Sequence, residues 1–93
     1  MSVVVIVPPL LRELAGGRGE VELAGAPATV GEALQALFAA HPGLRDRLVG
    51  ETGRVREHIN VFVGGENILY TGALDTPLAD GVEVTILPAI SGG

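Results

Sequence analysis

Ninety-three residues, 47% of them hydrophobic, suffice for one small domain with its own core and no covalent staple. The sequence has no cysteine, which excludes disulfides, thiolate metal sites and thiol catalysis within the chain; two histidines, His41 and His58, are too few for a metal site unless carboxylates complete it. A formal net charge of −5, with all six basic residues arginine, argues against nucleic acid or an anionic membrane surface as partner and for a basic one.

The opening stretch, residues 1–17, is apolar but lacks a positive start and is interrupted by Pro8-Pro9. It falls short of the roughly 20 residues that span a membrane, so a cytoplasmic location is expected. Val3 to Pro8 (VVVIVP) is rich in β-branched residues and reads as a strand buried on both faces, hence central. Leu10, Leu11 and Leu14 follow on a short helical turn closed by Gly16-Gly17. Glu20, Val21, Glu22 and Leu23 alternate as a half-exposed strand, so the first two strands are expected to form a hairpin.

The clearest helix begins after Thr29. Glu32 lies three residues on, the spacing of a capping box in which the hydroxyl takes the N3 amide and the carboxylate reaches back to the cap amide. Val30, Ala33, Leu34, Leu37 and Phe38 form one apolar stripe, and Pro42-Gly43 ends it. LRDRLV (44–49) makes a further turn, and 50–58 is a polar loop. INVFV (59–63) is a strand, Gly64-Gly65 a two-residue hairpin turn, and ENILY (66–70) the returning strand. An Asp80-Gly81 turn opens the last strand, with Val82, Val84 and Ile86 on one face and Glu83, Thr85 and Leu87 on the other. This order gives an α+β fold, a mixed sheet covered by one main helix, with the last strand beside the first: the β-grasp, or ubiquitin-like, architecture.

The last strand is expected to end near Leu87, because Pro88 cannot donate to a ladder. The chain then divides into a β-grasp domain, 1–88, and a flexible tail, 89–93, closing on Gly92 and Gly93. Five extended residues reach roughly 17 Å, enough to enter a partner's cleft while the domain stays outside. A carboxylate is a poor electrophile, and attaching AMP activates it. Two residues without side chains pass a narrow channel and leave the acyl centre uncrowded. Gly93 is therefore the candidate reactive residue, and Pro88, Ala89, Ile90, Ser91 and Gly92 the candidate partner contacts. Phe62 and Leu87 join them as apolar residues on the sheet face away from the helix. Arg54, Arg56 and His58 read as solvated loop charges that can meet a phosphate, and His41 as a helix-end residue. No acid pair forms a catalytic constellation, and no metal site is expected.

The chain resembles the MoaD/ThiS family of small sulfur carriers. The resemblance covers the whole length and is carried by LRELAGG after the first strand, by TVGEAL at the helix start, and above all by LADGVEVTILPAISGG. Leu78, Asp80, Gly81, Val84, Pro88, Gly92 and Gly93 match the family pattern, while Val82 stands where the family usually has an acid. RVREHINVFVGGENI and ILPAISGG look closer to the CysO-like branch. The resemblance implies a protein co-substrate, not an enzyme. A ubiquitin-activating-type adenylating and sulfurtransferase enzyme would use ATP to adenylate Gly93, and sulfur would then displace AMP to leave a thiocarboxylate. The acceptor would be a cysteine synthase-like enzyme, the large subunit of molybdopterin synthase, or a natural-product synthase. The chain itself would bind no cofactor. The alternatives are the small subunit of molybdopterin synthase, a ubiquitin-like modifier of other proteins, whose attachment to itself the lack of lysine prevents, and a passive β-grasp binding module or regulatory subunit.

Overall fold

The computed structural model describes residues 2–88. Five strands form one mixed sheet: β1 (Val3–Ile6), β2 (Glu20–Leu23), β3 (Ile59–Val63), β4 (Glu66–Asn67) and β5 (Glu83–Pro88), in the spatial order β2-β1-β5-β3-β4. β1 and β5 are parallel, and the other neighbours are antiparallel. Helix α1 (Val30–Ala40) covers one face, and the short α2 (Arg45–Leu48) follows it after a 3₁₀ turn at Pro42–Leu44. This is the expected β-grasp arrangement. The tail residues 89–93 lie outside the described residues.

The predicted stripe of α1 is buried from Val30 to Phe38 and packs on Val5, Val61, Val84 and Ile86. The Thr29 hydroxyl accepts from the Glu32 amide at 3.2 Å. The Glu32 carboxylate accepts from Ala28, one residue before the expected cap amide, at 3.0 Å. The cap region is also held from outside: the Val30 amide donates to the Thr76 carbonyl and Leu78 to Ala28. Tertiary hydrogen bonds thus compete for the donors that an isolated capping box would satisfy.

Three expectations on strands are corrected. β1 spans Val3–Ile6 instead of running to Pro8, and it is not buried on both faces. Val4 and Ile6 are half-buried, on the face of the sheet opposite the buried Val3 and Val5. The returning strand after the glycine turn is two residues long; Ile68–Tyr70 coils into a 3₁₀ turn that the Asn67 side chain caps by accepting from the Leu69 amide. Burial of Ile68 outweighs the strand propensity of an apolar run. β5 continues through Pro88, which lies opposite Ile59. The Gly64 amide donates to the Glu83 carbonyl. Alternation along the ladder then makes Ile59–Pro88 a non-bonded pair, so the missing donor of Pro88 breaks no bond to β3.

The molecule has two ends along the strand direction. At the Pro88 end are the start of β3, the 3₁₀ helix Pro9–Ala15 between β1 and β2, the end of α1, α2 and the loop 50–58. At the Val30 end are the start of β5, the glycine hairpin, the start of α1 and the segment 76–82.

Candidate functional site

Among the described residues, no helix covers the face of the sheet away from α1. Its register places Glu20, Ile6, Thr85, Phe62 and Asn67 side by side across all five strands. A second row toward the Val30 end holds Glu22, Val4 and Glu83, and a third toward the Pro88 end pairs Leu87 with Asn60. Phe62 and Leu87 therefore lie on this face, as the alternation predicts. Leu87 is 45% exposed and Phe62 half-buried. Ile6 and Val4 also belong to this face, against the expectation that β1 is wholly interior; the signal for it in the sequence is that only one main helix is available to cover the sheet. The patch is an apolar strip bordered by the carboxylates of Glu20, Glu22 and Glu83.

Pro88 brings this surface to the point where residues 89–93 depart. The loop before β3 is built to hold that point. Arg56 Nε donates to the Asp46 carbonyl at 2.7 Å, the Arg56 amide to Leu48, and the Ile59 amide to the Arg56 carbonyl. An isolated bridge between Val49 and Val55 adds to this. Pro88, paired with Ile59, is thereby backed by a hydrogen-bonded loop. Arg54 and His58 project from it, exposed. The expected contacts Ala89, Ile90, Ser91 and Gly92 and the candidate reactive residue Gly93 lie outside the described residues.

The net charge conceals a segregation. All six arginines occupy elements at the Pro88 end, with five acids (Glu13, Glu20, Asp46, Glu51, Glu57) among them. Five others (Glu22, Glu32, Glu66, Asp80, Glu83) lie toward the Val30 end, and Asp75 lines a groove that Arg54 and Arg56 also line. The two ends carry +1 and −5 with histidines neutral, and Asp75 between them completes the total of −5. The acidic character expected to govern partner choice thus belongs to the end remote from Pro88.

A groove of about 610 Å³ runs between the loop at Arg54–Glu57 and the 3₁₀ turns at Ile68–Tyr70 and Ala73–Asp75. Its walls are largely apolar and include Val55, Ile59, Val61, Ile68 and Leu74; no Ser, Thr, His, Lys or Cys is among the lining residues. Among the described residues, no group of three or more His, Cys, Asp or Glu is placed to hold a metal. No helix there is long and apolar enough to cross a membrane.

Residues 3–93 match the ThiS family model. The chain belongs to the ThiS family. This ThiS-family chain is 37% identical to the sulfur carrier protein CysO of Mycobacterium tuberculosis over the full length of both chains. It is 44% identical to small archaeal modifier protein 1 of Haloferax volcanii, over 89% of this chain and 91% of the relative. Its fold superposes on a chain in the crystal structure of the Amycolatopsis orientalis BexX/CysO complex with a TM-score of 0.89, at 39% identity, covering 99% of this chain and 100% of that one. The similarity thus spans globule and terminus alike.

Proposed function

We propose that the chain is a sulfur carrier activated at the carboxyl group of Gly93. A ubiquitin-activating-type enzyme transfers AMP from ATP onto that carboxylate. A sulfur nucleophile then attacks the acyl carbon, the bond to AMP breaks, and a thiocarboxylate remains. The sulfur passes to a biosynthetic acceptor, with cysteine or another sulfur-containing metabolite as product. The observation that carries this reading is the match to the family through residue 93, together with full-length similarity to CysO. The open face around Phe62 and Leu87 supports it physically. Ordering a short tail costs about 1–2 kcal/mol per residue, so a partner that accepts the tail must also grip the globule.

The test is mass spectrometry of the protein after incubation with the activating enzyme of its own source, ATP and a sulfur donor. The expected product is heavier by the difference between a sulfur and an oxygen atom, and its formation is lost on removing Gly92 and Gly93 without change in folding. An unchanged mass under these conditions rejects the reading. A second reading is favoured by the 44% identity to a small archaeal modifier: conjugation through Gly93 to lysines of other proteins. Adducts carrying a Gly-Gly remnant on target lysines in lysate would establish it, and their absence alongside sulfur exchange would remove it.

A further inference from the structure

The sheet has two edges, and they differ. β4 is two residues long and passes directly into the 3₁₀ turn at Ile68–Tyr70. β2 is four residues long and pairs only with β1. Two bonds set its hydrogen-bonding phase. The Val7 amide donates to the Gly19 carbonyl at 2.9 Å, in the register that sets Ile6 opposite Glu20, so Val7 and Gly19 are a bonded pair. Alternation then makes Val5–Val21 and Val3–Leu23 bonded, and Ile6–Glu20 and Val4–Glu22 non-bonded. The Val4 amide agrees with this phase: it donates away from β2, to the Val82 carbonyl at 3.2 Å. The amide and carbonyl groups of Glu20 and Glu22 therefore project from the outer edge, where no described residue pairs with them. The two carboxylate side chains are exposed on the face away from α1, while Val21 and Leu23 are buried on the other. Neither carboxylate has an ion-pair partner among the described residues.

We propose that β2 takes up an extended segment of a partner protein as an additional antiparallel strand, and that this segment carries the pattern cation–apolar–cation. The amides and carbonyls of Glu20 and Glu22 supply the main-chain bonds. In the bonded pairs they form, the residues opposite Glu20 and Glu22 place their side chains on the same face as the two carboxylates. Arg or Lys at both positions meets those carboxylates directly, and opposite charges across a ladder stabilise the added strand. The residue between the cations faces the α1 side next to Val21, where an apolar side chain fits. A second copy of this chain is a poor occupant. Two β2 edges joined at full overlap set each of these carboxylates opposite another, and like charges so placed oppose pairing. Main-chain bonds thus give the affinity, and the two acids select the basic segment. The added strand lies next to the rows that begin Glu20–Ile6 and Glu22–Val4, so a protein that covers the open face can supply it. The inference does not depend on the chemistry of Gly93.

The test uses residues 1–93, isotope-labelled for NMR, and the end-blocked peptide Thr-Arg-Val-Arg-Val-Thr. At millimolar peptide the amide resonances of Glu20 and Glu22 are expected to shift, and their hydrogen exchange to slow by about tenfold. Methylating the main-chain nitrogens of both arginines in the peptide is expected to weaken binding by about tenfold, since in this register those amides bond to β2; methylating the two valine nitrogens, which point away, is expected to leave it. E20K with E22K is expected to lose the arginine peptide and to bind its glutamate counterpart instead, the other amide resonances showing that the fold is kept. Equal binding by the two methylated peptides overturns the proposal. So do undiminished binding of the arginine peptide to E20K with E22K, shifts centred on Phe62 and Leu87 in place of Glu20 and Glu22, or no shift at millimolar peptide. Slowed exchange at Glu20 and Glu22 that grows with protein concentration, with no peptide present, overturns it in favour of a second copy.

Discussion

Phe62 and Leu87 show what single residues contribute. Both lie on the open face, Phe62 between Thr85 and Asn67, and Leu87 opposite Asn60. Neither is part of the buried core, so F62S with L87S is expected to cost less than about 2 kcal/mol of stability while slowing adenylation of Gly93 at least tenfold through a raised KM. Denaturant melts and steady-state adenylation measure the two effects; unchanged adenylation would remove this face from the docking surface. Leu37 is the counterpart inside: it is fully buried on α1, and L37A is expected to lose about 2–5 kcal/mol in the same melts. Residue faces were readable from alternation, since β5 shows the expected pattern throughout. Ala73 was not readable. It holds a left-handed φ of +52° within the turn that abuts the start of α1, a conformation no local signal announced. A73G is expected to be neutral or to stabilise by up to about 1 kcal/mol, the left-handed cost of alanine outweighing the added freedom of glycine in the unfolded chain.

Among elements, α1 is the one whose limits local chemistry specifies most fully. Thr29 caps it, Glu32 answers, and the apolar stripe sets the face. T29A is expected to lose about 1 kcal/mol in a urea melt; a change below about 0.3 kcal/mol would mean that the bond from the Val30 amide to Thr76 does most of the anchoring. The hairpin between β3 and β4 was equally clear, with Gly64 and Gly65 at φ +57° and +89°, the signs that a tight two-residue turn requires. The strand after it was not. Ile68, Leu69 and Tyr70 favour extended structure by propensity, but only Ile68 finds a buried place, and coiling delivers it there while leaving Leu69 and Tyr70 exposed. A short apolar run carries no periodicity that separates these outcomes.

For the whole molecule, net charge was a poor guide. The sum of −5 is correct, yet the end at Pro88, from which residues 89–93 leave, is nearly balanced and carries every arginine. Neutralising Glu66 and Asp75 is expected to leave the adenylation rate within about twofold. R54E with R56E is expected to lower it, and the loss should shrink as salt rises, since exposed charges are screened beyond about 10 Å at 0.1 M. A salt-independent loss would point to damage of the loop that backs Pro88 instead.

Patterning fixed the helix, the order of strands and the β-grasp class, because periodicity, caps and turn glycines act over a few neighbouring residues. The motif around Asp80-Gly81 and the closing glycines carry the family resemblance, on which the proposal for Gly93 rests. Folding alone could reveal which β1 residues stay at the surface, where the short strand gives way to a coil, and how the charges sort between the two ends. Each of those depends on which segments become neighbours across the sheet, and that is settled by burial and register between residues far apart in the chain.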